Sequence, residues 1–169
     1  MKKILQFSGI ISLVLAVVAF ILMLATPAML VEDVQFGGTL AMFGGDLSLA
    51  QKVYLVAGSA KLAPLALIAF ILVLVGLIIV LAGVVLPLLK INALEKFAGI
   101  LNLVALVCFV VAGIFMFCVV PSFTAANGFD KVPDGYNIGV GWVFGGIFAI
   151  AGGAFAILPA AAAFLGKKK

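Results

Sequence analysis

One uninterrupted apolar segment limits what this chain can fold into. It runs LAPLALIAFILVLVGLIIVLAGVVLPLL from Leu62 to Leu89, holds 28 residues without a charge, and lies between Lys61 and Lys90. As a helix of about 1.5 Å per residue it would be roughly 42 Å long, more than the ~30 Å hydrocarbon core of a bilayer. A buried helix of a soluble protein does not need this length. The segment therefore predicts a membrane-spanning helix.

The composition extends this interpretation to the whole chain. Of its 169 residues, 67% are hydrophobic and 9% are charged, whereas soluble domains carry about 25% charged residues. We therefore expect an all-α membrane protein, a four-transmembrane-helix bundle that forms one domain over residues 1–169. The expected spans are 4–31, 62–89, 97–120 and 138–166, joined by outer loops 32–61 and 121–137 and by inner loop 90–96.

The first apolar segment has two interpretations. Lys2 and Lys3 before an apolar stretch are typical of a secretory signal peptide, but here the uncharged stretch runs from Ile4 to Val31, whereas signal cores have about 7–15 residues. Thr26-Pro27-Ala28 is also a poor cleavage site. We expect a retained first span.

Lysine distribution predicts the orientation. If the N-terminus is cytoplasmic, seven of the ten basic residues are inside, and five of the six acidic residues are outside. The inside lysines are Lys2, Lys3, Lys90, Lys96, Lys167, Lys168 and Lys169. The excess of basic residues in cytoplasmic loops therefore places both termini in the cytoplasm. The all-lysine, His-free composition and the Met-Lys-Lys start favour a bacterial plasma membrane.

The first outer loop is β-prone. Val34-Gln35-Phe36 and the segment from Thr39 to Phe43 are each followed by a Gly-Gly pair, which is typical of hairpin turns. Farther along, Ser48 and Gln51 fit a capping box that opens a short helix, while residues 52–56 fit another strand equally. We expect a small extracellular sheet and leave this last segment open.

This layout resembles that of claudin-type tetraspan proteins: four spans, both ends inside, and a longer first outer loop with strand signals. The resemblance covers topology only. Residues 32–61 contain neither the Trp nor the Cys that mark claudins, and the single Trp is Trp142. The resemblance implies a four-helix bundle with a β-prone extracellular loop, and it carries no junction-forming residue over to this chain.

A short internal similarity has two explanations. Residues 7–14 and 97–104 share five identities in eight positions, and both begin an outward-going span. A duplicated helix hairpin would produce this similarity. A chance match within an alphabet of Leu, Val, Ile, Ala and Gly would produce it too.

Small residues recur at intervals of four in the fourth span: Gly141, Gly145, Ala149 and Gly153. This spacing places them on one helix face, and small residues let membrane helices approach closely. The face either packs on the other spans of the same chain or forms an interface with another subunit or partner.

Polar residues are scarce in the spans. Ser12 and Asn102 lie near the inner ends of spans one and three, and we expect a hydrogen bond between them, with a polar pore lining as the alternative. No ionisable Asp, Glu, Lys, Arg or His lies well inside a span, which argues against a proton-coupled transporter. Tyr136 and Trp142 flank the start of span four and are typical of residues that anchor helices at the membrane interface.

Several function classes lack their required residues. Without His the chain lacks the commonest general base and metal ligand, and Asp130 and Asp134 do not match a calcium loop. We expect no enzyme activity, no cofactor, no metal and no nucleic-acid partner. Cys108 and Cys118 would be about 15 Å apart on one helix, too far for a bridge between them.

These observations predict a non-catalytic membrane protein that acts by helix–helix association. It would work as a homo-oligomer or as an accessory, structural subunit of a membrane complex, with the lipid bilayer and either itself or another membrane protein as partners. The alternative is a pore or carrier for an uncharged or lipidic solute.

Overall fold

Four long helices dominate the computed structural model, which describes residues 2–31, 34–46, 59–88 and 98–165. In chain order the elements are α1 (Lys2–Ala25), β1 (Pro27–Val31), β2 (Val34–Gly37), α2 (Gly38–Phe43), β3 (Gly45–Asp46), β4 (Ser59–Ala60), α3 (Pro64–Leu88), α4 (Ala98–Phe117), α5 (Val119–Ala126), β5 (Tyr136–Ile138) and α6 (Val140–Leu165). Helices α1, α3, α4 and α6 are each long and apolar enough to cross a membrane. This confirms the prediction of a mainly helical chain with four candidate spans.

The four long helices form a bundle in which each has two principal neighbours. Helix α6 packs against α1 and α4, and α3 packs against the same two helices from the other side. Helices α1 and α4 are therefore diagonal to each other. Many core positions are alanines, including Ala16, Ala69 and Ala149, all fully buried. Small side chains let the backbones approach closely and gain dispersion contacts, which hold helices together in lipid.

The outward faces of the bundle carry large apolar side chains. Phe7, Ile78 and Val107 are each more than half exposed. Such a surface would be unfavourable in water, whereas hydrocarbon chains cover it at no comparable cost.

A three-stranded antiparallel sheet lies at one end of the bundle, which we call the loop side. Its order is β2-β1-β5, so β1 is central. Leu30 pairs with Gln35 of β2 and with Asn137 of β5. A separate pairing joins β3 and β4. The sheet therefore connects the segment after α1 with the segment before α6.

The first helix is shorter than predicted. It ends at Ala25, and Pro27–Val31, which we expected within the first span, forms β1. Pro27 explains the difference. The Thr26 N–H still makes the helical bond to the carbonyl of Leu22, to which its hydroxyl also donates, but Pro27 has no N–H with which to continue the helix.

The segment from Thr39 to Phe43 is helical rather than extended. Ala41 and Met42 of α2 are buried against the bundle, and Leu, Ala and Met are strong helix formers. Gly37 and Gly38 join β2 to α2 and form no hairpin turn. Strand β2 pairs instead with β1, with Val34 opposite Val31.

The third span also ends differently. Helix α4 stops at Phe117, and α5 follows from Val119, so the second outer loop begins as a helix. Pro121 lies in the first turn of α5, where a missing N–H costs little. The expected inner loop 90–96 and the ambiguous residues 48–56 lie outside the described residues.

Candidate functional site

The small-residue face of α6 is buried within the chain. Ala149 is fully buried. A Cβ added at Gly145 would lie 2.6 Å from Met116 Cε of α4 and 3.6 Å from the Ala19 carbonyl oxygen of α1. One added at Gly153 would lie 3.1 Å from the Leu106 carbonyl oxygen of α4.

Gly141, the fourth member of this face, lies directly against the side chain of Thr26 at the end of α1. The face thus occupies the groove between α1 and α4. Of the two alternatives raised by the sequence, the structure shows packing within the chain. Gly145, Ala149 and Gly153 are buried in this groove, and Gly141 is partly buried.

Further close contacts involve glycines outside the four-residue pattern. A Cβ at Gly113 of α4 would lie 2.7 Å from the Gly146 carbonyl oxygen of α6, and one at Gly152 would lie 3.4 Å from the Ser12 carbonyl oxygen. The sequence signal for them was weaker, because no regular spacing distinguishes them from lipid-facing glycines.

Ser12 does not direct its hydroxyl proton toward Asn102. Its Oγ donates to the carbonyl oxygen of Gly152 at 2.7 Å, and the bond is buried. Asn102 lies beside α3, where its Oδ1 is 3.8 Å from the position of a Cβ on Gly83. Helices α1 and α4 are diagonal, so Ser12 packs on α6 and Asn102 on α3, and a hydrogen bond between the two residues stays a prediction.

Trp142 supplies a hydrogen bond that the backbone of α1 lacks. In a regular helix the carbonyl of Met23 would accept from the N–H of residue 27, which is a proline. The Trp142 Nε1–H donates to this carbonyl oxygen at 3.2 Å in a buried position. A buried carbonyl left without a donor costs about 1–3 kcal/mol, so the indole stabilises the end of α1.

Ser8 does the same for α6 at the opposite end of the bundle. Pro159 cannot donate to the carbonyl of Phe155, four residues earlier. The Ser8 hydroxyl donates to that carbonyl oxygen. Helices α1 and α6 thus each have a carbonyl that lacks its helical donor because of a proline. In each case a side chain of the other helix provides the donor. The sequence signal was available, since a proline inside or just after a helix leaves the carbonyl four residues before it without its helical donor.

The two expected interface anchors occupy different environments. Trp142 is fully buried, so its ring has no surface for contact with lipid headgroups and acts in the core instead. Tyr136 is partly buried in β5, with its ring 5.9 Å from that of Phe129. The anchoring function proposed for Trp142 is therefore wrong, and that of Tyr136 stays a prediction.

Side chains of α5 and its C-terminal end hold the start of α3. Asn127 accepts from the Lys61 N–H at 2.9 Å and donates to the Lys61 carbonyl oxygen at 3.1 Å. Ser122 Oγ accepts from the Leu65 N–H at 3.1 Å. Helix termini leave N–H groups such as that of Leu65 without backbone partners, so Ser122 completes the first turn of α3, while Asn127 fixes the residue three positions before the helix. This contact was not found from the sequence.

The buried polar side chains are all used in packing. Among the described residues they are Ser8, Ser12 and Thr124, and Thr124 donates to the carbonyl oxygens of Val120 and Pro121 within its own helix. In the same part of the chain, no three His, Cys, Asp or Glu residues lie close enough to hold a metal ion. The geometry of these side chains supports a role in helix packing.

The fold and these contacts define a helical bundle suited to a membrane, held together by small residues and by side chains that pair helix carbonyls. Comparison with protein-family models, curated proteins and solved structures gives no significant match.

Proposed function

We propose that this chain is a non-catalytic membrane protein of four spans that acts by association, as a homo-oligomer or as an accessory subunit of a larger membrane complex. The main support is the position of β1, which pairs with both β2 and β5. This pairing joins two loops into one layer at the loop side. A layer fixed by both loops can present a constant surface to a partner.

The loop side is the better candidate for this contact than the small face of α6. That face is already filled by α1 and α4. By contrast, Asp130, Lys131, Val132 and Asp134 are exposed on the segment between α5 and β5. If both termini are cytoplasmic, as the lysine distribution predicts, and the membrane is the bacterial plasma membrane that the composition favours, this segment would face the outside of the cell.

The alternative function, a pore or carrier for an uncharged or lipidic solute, is motivated by the charge-free spans. The packing gives it less support. Phe109, Met116 and Trp142 fill the interior and are fully buried. The hydroxyls of Ser8 and Ser12 donate to carbonyl oxygens of α6, which leaves them unsuited to line a water-filled path.

Mass measurement of the protein in gentle detergent tests the proposal. We expect an assembly of two or more copies, or a stable complex with a second membrane protein. Charge reversal by Lys131→Glu together with Asp134→Lys should lower the assembled fraction, while Ile78→Ala on the lipid-facing surface of α3 should leave it unchanged. A monomer alone, in detergent and after crosslinking in the membrane, would contradict association. Solute flux into reconstituted vesicles above that of empty vesicles would favour the alternative.

A further inference from the structure

Helix α2 bridges the loop-side ends of α1 and α3. Gly38, its first residue, lies so close to the carbonyl of Met23 in α1 that no Cβ would fit. At the other end, the Ala63 N–H, just before α3, donates to the carbonyl oxygen of Ala41 at 2.8 Å. Ala41 and Met42 are buried. Helix α2 is therefore fixed against both spans.

The last residue of α2 carries an exposed aromatic ring. Phe43 is 56% exposed, yet its ring centroid is 5.7 Å from that of Phe70 in α3, in an edge-on arrangement. Phe70 in turn stacks on Phe20 of α1 at 5.7 Å. The three rings form a continuous row across the contact between α1 and α3, which we call the phenylalanine row.

The depth of this row follows from helix geometry. Phe70 lies six residues after Pro64, about 9 Å along α3, and Phe20 lies five residues before Ala25, about 8 Å from the end of α1. Both fall within the stretches that could cross a membrane, Phe7–Ala25 and Pro64–Val85. The ring of Phe43 therefore reaches the level of the membrane-spanning turns.

The surroundings of the row are apolar as well. The same turns of α1 and α3 expose Ile21, Leu24, Ile68 and Ile71. No charged residue occurs from Val34 to Gly45. Helix α2 therefore has no charged group whose hydration would favour keeping the ring of Phe43 in water. Moving such a ring from water into hydrocarbon is favourable.

We propose that α2 lies in the interfacial layer of the loop-side leaflet and inserts the ring of Phe43 among the acyl chains of that leaflet. The first loop would thus bind lipid directly. Acyl chains are the partner that this surface fits, because the phenylalanine row continues the apolar belt of α1 and α3 without a polar interruption. Val132, exposed on the other loop close to the exposed charged residues Lys131 and Asp134, serves as the comparison.

Tryptophan fluorescence in reconstituted vesicles tests this placement. The chain has one tryptophan, the buried Trp142, so the unsubstituted protein gives the background. Phe43→Trp keeps an aromatic ring beside Phe70. The fluorescence of this variant above that of the unsubstituted protein should be quenched by phosphatidylcholine with brominated acyl chains to the same extent as that of Ile71→Trp. Iodide in the aqueous phase should quench it little.

Val132→Trp provides the opposite reference, with quenching by iodide and little by brominated chains. If the emission of Phe43→Trp followed that of Val132→Trp, the proposal would be wrong.

A second measurement avoids any change in ring packing at Phe43. A spin label on Thr39→Cys, four residues earlier on α2, with Cys108 and Cys118 replaced by alanine, should collide with oxygen more than with a water-soluble nickel chelate. The reverse order would also contradict the placement.

Discussion

The hydroxyl of Ser8 in α1 donates to the carbonyl oxygen of Phe155 in α6, and this is the carbonyl that Pro159 leaves without its usual helical partner. Ser8 and Phe155 are 147 positions apart in the chain. Their contact shows how one polar side chain compensates for a proline inside an apolar helix.

This relationship predicts a specific coupling between Ser8 and Pro159. Ser8→Ala should lower the free energy of unfolding by about 1 kcal/mol, because the Phe155 carbonyl loses its donor in a medium without water. In a Pro159→Ala background the cost should shrink, since the substituted alanine restores the N–H of the helix. Unfolding by denaturing detergent in mixed micelles, applied to the full double-mutant cycle, measures the coupling.

Ser12→Ala is the matched control for this cycle. Its acceptor, the Gly152 carbonyl, lies four residues before Ala156 and so keeps a possible helical donor. The effect of Ser12→Ala should not depend on residue 159. If Pro159→Ala changed the loss of unfolding free energy equally for Ser8→Ala and Ser12→Ala, Ser8 would not be compensating for the proline.

Trp142→Phe should destabilise the loop-side end of the bundle by about 1–3 kcal/mol. The variant keeps an aromatic ring but removes the N–H that pairs the Met23 carbonyl, which leaves a buried acceptor without a partner. Thermal unfolding in detergent measures the effect. Phe144→Leu, at an exposed ring of the same helix, should change stability by no more than about 0.5 kcal/mol. Comparable losses for the two variants would exclude the hydrogen bond as the cause.

Asn127→Ala should accelerate hydrogen exchange at the start of α3. The side chain of Asn127 pairs with both backbone groups of Lys61, so its removal frees the Lys61 amide to exchange. Amide exchange followed by mass spectrometry on peptides that contain Lys61 provides the measurement. Asn137→Ala removes only a local bond to the Gly135 carbonyl oxygen and should leave those peptides unchanged. Unaltered exchange in Asn127→Ala would show that other contacts hold this turn.

Gly113→Ala should destabilise the protein by about 1–3 kcal/mol, because the new methyl group meets the backbone oxygen of Gly146 and the two helices must separate. Gly83→Ala is the control, since its nearest neighbour lies at 3.8 Å. Alanine is the better helix former, so this variant should be neutral or more stable by up to about 1 kcal/mol. Thermal unfolding compares the two. Equal stability would mean that the contact between α4 and α6 is looser than described.

The sequence predicts the long helices well because their signal is local. Uncharged stretches of helical length are visible without knowledge of any contact. The predicted end of α1 was wrong because Pro27–Val31 forms a strand that pairs with Val34–Gly37 and also with Tyr136–Ile138, more than a hundred residues later. An apolar segment that will pair with a distant strand looks the same as one that continues a span.

The partners of the polar residues were predictable only in part. Pro27 and Pro159 identify the carbonyls that need donors, and this rule uses the sequence alone. The choice of Trp142 and Ser8 as donors requires the order of helices around the bundle. The expected pairing of Ser12 with Asn102 did not anticipate the bond from Ser12 to Gly152, since residue polarity contains no information on which helices are neighbours.

The position of Trp142 also has a consequence for biosynthesis. A ribosome makes Met23 early and Trp142 119 residues later, and the strand that completes the sheet precedes Trp142 by only a few residues. Until the start of the last long helix emerges, the first span has an unfinished end and its strand has at most one neighbour. Newly made protein truncated before that point would therefore lack both the indole donor of the Met23 carbonyl and the second neighbour of β1.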